Sequence, residues 1–126
     1  MGRISPSLED YIEMIYNLLI ENGSVRTTDI ANALGVSKPS VNRAIKSLKE
    51  KGLANQEWYG EITLTKSGSC AAKEVLDRHN LIKTFLVDVL GVDKETAEQE
   101  ACEIEHCMSE GTIEKLNCFI NRRSNN

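Results

Sequence analysis

A chain of 126 residues can bury one hydrophobic core, or two small units that share a boundary. With 40% hydrophobic and 27% charged residues it reads as globular, and no apolar run nears the roughly 20 residues of a transmembrane helix. The net charge of −4 argues weakly against nucleic acid, but its distribution does not: residues 1–66 carry eight Lys/Arg and eight Asp/Glu, while residues 67–126 carry seven and eleven.

The first helix is expected to start at an N-cap Ser7 with Asp10 at the capping-box position, and to run through Leu8, Tyr11, Ile12, Ile15, Leu18 and Leu19 to Asn22-Gly23. A short second helix, Asp29 to Leu34, is expected to be capped by Thr27 or Thr28. After Gly35-Val36 comes an N-cap Ser37, with Pro39 in the first turn of a third helix that runs to Lys51. Val41, Ala44, Ile45 and Leu48 face inward. Residues 53–65 alternate partially around a Tyr59-Gly60 turn, which predicts a β-hairpin. Helix, helix, turn, helix, hairpin is the winged helix-turn-helix order. One long or broken helix then spans Lys66 to Leu90. Gly91 interrupts it, a helix follows around Cys102, and a last one covers Thr112 to Arg122. The tail 121–126 reads as frayed. The fold class is therefore mainly α: a winged helix-turn-helix with a small hairpin wing over residues 1–66, then an all-helical domain over residues 67–126.

Within the first domain, residues 38–51 hold five basic residues and one acid. Lys38, Ser40, Asn42, Arg43 and Lys46 point outward and are residue types that reach phosphates and base edges. Ser37 and Pro39 open the same helix, whose N-terminus suits a phosphate. Arg26, Trp58 and Tyr59 are placed to brace the DNA backbone. The competing reading is a solvated basic helix in a protein-interaction module.

In the second domain Cys102, Glu105 and His106 fall at i, i+3 and i+4. On a helical wheel Glu95, Glu98, Glu105 and His106 lie within about 60° of Cys102, with Ala97, Ala101, Ile104 and Met108 opposite. No Lys or Arg occurs between Lys94 and Lys115. A thiol, a carboxylate and an imidazole side by side are three metal-ligand types; a solvated acidic face with a stray thiol is the bland alternative. Asp10 and Glu13 share the polar face of the first helix, and His79 is the one other histidine. The apolar residues of 81–90, with Ile113, Leu116, Phe119 and Ile120, exceed what a small helical unit easily hides, which suits either a dimer interface or an ordinary core.

The chain resembles the diphtheria toxin repressor family of metal-dependent transcriptional regulators, including its manganese transport regulator branch. The resemblance rests on Glu9-Asp10-Tyr11-Ile12 with Ile15-Tyr16, on Ser37-Lys38-Pro39-Ser40-Val41, and on Leu64-Thr65-Lys66-Ser67-Gly68. It rests further on Arg78-His79-Asn80-Leu81 and on the block Glu100 to Ser109. It implies a winged helix followed by a helical dimerisation and metal-binding domain, in the two-domain form without an SH3-like domain. The implied metal ligands are Asp10, Glu13, His79, Cys102, Glu105 and His106, with Glu98 able to join them. The chain mixes two branches: the manganese-responsive one matches Asp10 and Glu13 but has glutamate at the place of Cys102, and the iron-responsive one has the cysteine but methionine at the place of Asp10.

The function so implied is a homodimeric repressor that senses Mn(II) or Fe(II), binds palindromic operator DNA and controls metal-uptake genes. Zn(II) and Co(II) also suit the donors in vitro. A regulator that senses thiol oxidation through Cys102 or Cys107 is the alternative. A hydrolytic metalloenzyme is disfavoured, since it would leave the basic helix unexplained, so no small organic substrate is expected. Without the apolar core of a signal peptide at the start, and with four cysteines in no disulfide framework, a cytoplasmic protein with no membrane partner is expected.

Overall fold

The computed structural model describes residues 4–124. It divides between Glu74 and Val75 into two compact units.

In the first unit, α1 (Pro6–Asn22) begins two residues earlier than expected. Ser5, not Ser7, is the N-cap: its hydroxyl accepts from the Leu8 N–H, and Pro6 takes the first helical position, where a missing N–H costs nothing. The second helix, α2 (Thr27–Leu34), is capped by neither threonine. Arg26 is its N-cap, and the Arg26 backbone N–H donates to the Asp29 carboxylate at 2.9 Å. The third, α3 (Lys38–Glu50), has Ser37 as N-cap and Pro39 in its first turn, as its sequence requires. Val41, Ala44, Ile45 and Leu48 of α3 pack with Tyr11, Ile12 and Ile15 of α1 and with Val25, Ile30 and Ile62 into one core.

The wing is a two-stranded antiparallel sheet, β1 (Ala54–Gln56) and β2 (Ile62–Leu64), in the register Ala54–Leu64, Asn55–Thr63 and Gln56–Ile62. It is tied to the helices at both ends. The Ile62 N–H donates to the Val25 carbonyl at 2.8 Å, and the Thr65 hydroxyl donates to the Gly52 carbonyl at 2.7 Å while accepting from the Gly68 N–H. Gly68 cannot be anything larger, because a Cβ there would lie 1.9 Å from the Leu53 carbonyl oxygen.

The long helix α4 (Lys66–Thr84) does not simply stop. It runs on into a five-residue π-helical turn, Phe85–Val89, where the Leu90 N–H reaches back to the Phe85 carbonyl. In the second unit α5 spans Lys94–Ile104, with Asp93 as its side-chain cap, and α6 spans Glu110–Ser124. Two expectations need correction. The Cys102 helix ends at Ile104, with Glu105 as C-cap, so His106 and Met108 lie beyond it. Residues 121–123 are helical, while Asn125 and Asn126 lie outside the described residues. Ala97 and Ala101 are buried as the wheel requires, but Ile104 and Met108 are only half-buried. On α6, Ile113, Leu116 and Ile120 are half-buried and Phe119 is exposed.

Candidate metal centre and nucleic-acid interface

The second unit gathers its donors around His79. That residue sits on α4, one turn before Lys83, and it is 4% exposed. Its Nδ1 lies 2.9 Å from Oε2 of Glu105, and its Nε2 lies 2.9 Å from Oε1 of Glu98. The Cys102 Sγ lies 3.7 Å from Nδ1. Glu98 and Cys102 are one turn apart on α5, so both face α4 across the same gap. One donor atom each from His79, Glu98 and Cys102 lies within 4.8 Å of the others.

Glu105 does not share the open face with Cys102 that the wheel assigns to it. It is 1% exposed while Cys102 is exposed. Glu105 keeps helical backbone geometry as the C-cap, its N–H bonding the Ala101 carbonyl, so its burial comes from what packs against that turn: residues of α4 and the adjacent His106 stabilise the carboxylate. His79 contacts one of its oxygens, the His106 Nε2 lies 3.4 Å from the other, and Arg78 Nε donates to its backbone carbonyl at 3.1 Å.

The electrostatics follow from this geometry. The Glu105 carboxylate holds the imidazolium of His79, against the opposing effect of burial and with help from Glu98. Together they raise it from its ordinary 6.5 to about 9. Glu98 is held below the usual carboxylate range by Lys83 first, whose Nζ is 2.8 Å from its Oε2, and by His79 second. Imidazole, carboxylate and thiol within one small volume are a donor set that fits a divalent transition ion. Asp10 and Glu13 belong to α1 of the first unit, where Asp10 is exposed and Glu13 half-buried.

On the first unit, Ser37, Lys38, Pro39, Asn42, Arg43 and Lys46 are all exposed on α3, and Ser40 is half-buried. The Ser37 hydroxyl caps the Ser40 N–H at 3.2 Å, and Arg43 donates to the Ser40 hydroxyl at 3.2 Å. The Thr27 hydroxyl donates to Oδ1 of Asn42 at 3.4 Å, a contact between α2 and α3 that spacing along the chain does not reveal. Arg26 is turned towards the wing, where its guanidinium donates to the Tyr59 carbonyl at 2.7 Å. Trp58, at the tip, is 93% exposed and meets Tyr59 edge to face.

Comparison with known proteins matches residues 3–62 to the model of the iron-dependent repressor N-terminal DNA-binding domain and residues 65–126 to that of the iron-dependent repressor metal-binding and dimerisation domain. The chain belongs to the iron-dependent repressor family. Among relatives of this repressor-family chain, an uncharacterised helix-turn-helix transcriptional regulator of Methanocaldococcus jannaschii is 42% identical over 120 residues, covering 94% of the chain and 96% of the relative. The regulator MntR of Bacillus subtilis is 38% identical over 116 residues, covering 92% of the chain and 81% of MntR. A manganese-dependent transcriptional repressor solved in complex with manganese superposes with a TM-score of 0.80 at 30% identity, covering 90% of the chain and 52% of that structure. The chain spans little more than half the length of several of the solved structures it matches, this one included. Among the described residues no helix is long and apolar enough to cross a membrane.

Proposed function

We propose that the chain is a homodimeric, metal-dependent repressor that answers to Mn(II) or Fe(II), binds palindromic operator DNA and controls metal-uptake genes in the cytoplasm. The observation that carries this reading is a buried histidine held between two carboxylates with a thiol beside it, on a chain whose other unit is a winged helix with a basic recognition helix.

The ligand set we assign is Asp10, Glu13, His79, Cys102, Glu105 and His106, with Glu98 as a further donor. A divalent ion, when bound, supplies a multiply charged centre that oxygen, nitrogen and sulfur donors share. His79 contributes its imidazole only after shedding a proton, and Glu105 fixes which way the ring faces. In a metal-dependent repressor ion occupancy and DNA affinity are linked in both directions. In the reading unit, residues 1–66, Ser37 and Lys38 meet phosphates at the start of α3, and Asn42 and Arg43 reach base edges. Lys46 adds phosphate contact, and Arg26 and Tyr59 set the wing. Residues 67–126 carry dimerisation. Such a regulator has no small organic substrate and performs no catalysis.

The test is duplex binding by chelator-stripped protein, on a site selected from a random pool and followed by fluorescence anisotropy. Re-supplied Mn(II) or Fe(II) should tighten binding at least tenfold, and Zn(II) and Co(II) should substitute in vitro. Cys102→Ala should abolish the response. Binding indifferent to metal, or a full response in the Cys102→Ala protein, overturns the reading. Metal-independent binding lost on mild oxidation would favour thiol sensing instead.

A further inference from the structure

Glu98 is used twice. Its Oε1 faces His79 Nε2 at 2.9 Å and its Oε2 faces Lys83 Nζ at 2.8 Å. Lys83 lies one turn beyond His79 on α4, and Glu98 one turn before Cys102 on α5, so the four residues form the corners of one small plot. Three of the corners are metal donors and the fourth is a cation.

Stability does not account for the fourth corner. The Lys83 and Glu98 side chains are 37% and 51% exposed, and an ion pair in that setting contributes little to folding. Its electrostatic effect on the donor cluster is larger, because the ammonium sits on a carboxylate that belongs to that cluster. A divalent ion arriving at His79, Glu98 and Cys102 meets a resident positive charge: it must displace the ammonium from Glu98 or bind beside it. The flexible stem of lysine lets the head group withdraw at a cost instead of blocking the site.

We propose that Lys83 is a tethered counter-cation that competes with the metal for Glu98 and so sets the ion concentration at which the protein responds. This rests on the reading of the His79 cluster as a metal site, and it concerns the threshold of that site, not its existence. Lys83 lowers affinity for every divalent ion through charge, so the protein ignores low background levels and fills only when metal is in surplus. Added salt weakens the effect, since the pair is open to solvent.

The test measures affinity of the metal-free protein for Mn(II) and for Zn(II) by competition with a chromogenic chelator, without DNA. Lys83→Met and Lys83→Gln should bind both ions about tenfold more tightly than the wild type, and Lys83→Arg, which keeps the charge, should stay within about threefold of it. Raising NaCl from about 0.05 to about 0.5 M should narrow the gap. In a Glu98→Gln background Lys83→Met should lose most of its effect. Circular dichroism reports whether each protein is folded, and having both Met and Gln guards against the failure of either one. Wild-type affinity in both neutral variants, or an undiminished effect in the Glu98→Gln background, overturns the proposal and leaves the metal site standing. A wild type that binds neither ion fails at the earlier step and takes the function reading down with it.

Discussion

His79 Nδ1 and Glu105 Oε2 lie 2.9 Å apart with both side chains out of water. The pair makes metal-free stability depend on pH in a definite direction. Folded His79 titrates near 9 and an unfolded histidine near 6.5, so the fold favours the protonated ring. The contribution is complete below pH 6.5 and drains away as pH rises through 9. Thermal unfolding in chelator should show the midpoint falling by several degrees across that window. Glu105→Gln should flatten the dependence and cost about 3 kcal/mol below it, since it leaves a buried imidazolium without its closest charge partner.

Substituting Gly68 by alanine should destabilise the first unit by roughly 3 kcal/mol, because its Cβ would overlap the Leu53 carbonyl and backbone must move to make room. Denaturant unfolding should show a lowered midpoint with an unchanged slope. An unaffected midpoint would mean that the start of α4 yields freely.

Arg26 reaches the Tyr59 carbonyl at 2.7 Å, and Gly60, at φ +96°, leaves space that a side chain would take from the guanidinium. Arg26→Ala should weaken DNA binding roughly fivefold by releasing the wing, the worth of about one hydrogen bond. Metal affinity measured without DNA should not change.

Lys46 and Asn42 should differ in kind. Losing a phosphate contact in Lys46→Ala should weaken binding to all duplexes alike and reduce the salt slope by about one. Asn42→Ala should cost about 1–3 kcal/mol on the selected site and relax preference at one base pair. Competition between the selected duplex and a scrambled one separates the two.

Much of the first unit is legible in the sequence because its signals are local. Ser37 and Pro39 mark the start of α3, Val41 to Leu48 carry its inward stripe, and Gly60 falls where the wing turns. The early start of α1 was also written there: a proline after Ser5 suits a first helical position better than an interior one, and two serines two residues apart compete for one cap. Glu105 was harder. The wheel puts it on the right side of the helix, since its backbone is still helical, but a wheel alone sends a carboxylate on that side to water. Its burial depends on His79 and Arg78, more than twenty positions away. The roles of Thr27 against Asn42 and of Lys83 against Glu98 were hidden for the same reason: each is settled by a neighbour on another helix. The π turn left no mark in composition.

That turn gives α4 a property an unbroken helix lacks. The widened turn is how the helix ends: Leu90 N–H bonds the Phe85 carbonyl and Gly91 N–H that of Val87, so the turn sets the direction in which the chain leaves towards α5. The stretch bearing His79 and Lys83 answers to ion chemistry, and the greasy stretch beyond it answers to packing. Trimming a single residue from 85–89 would turn the departing chain, and with it the approach of Glu98 and Cys102 on α5, by about 100° about the helix axis while leaving His79 and Lys83 where they were.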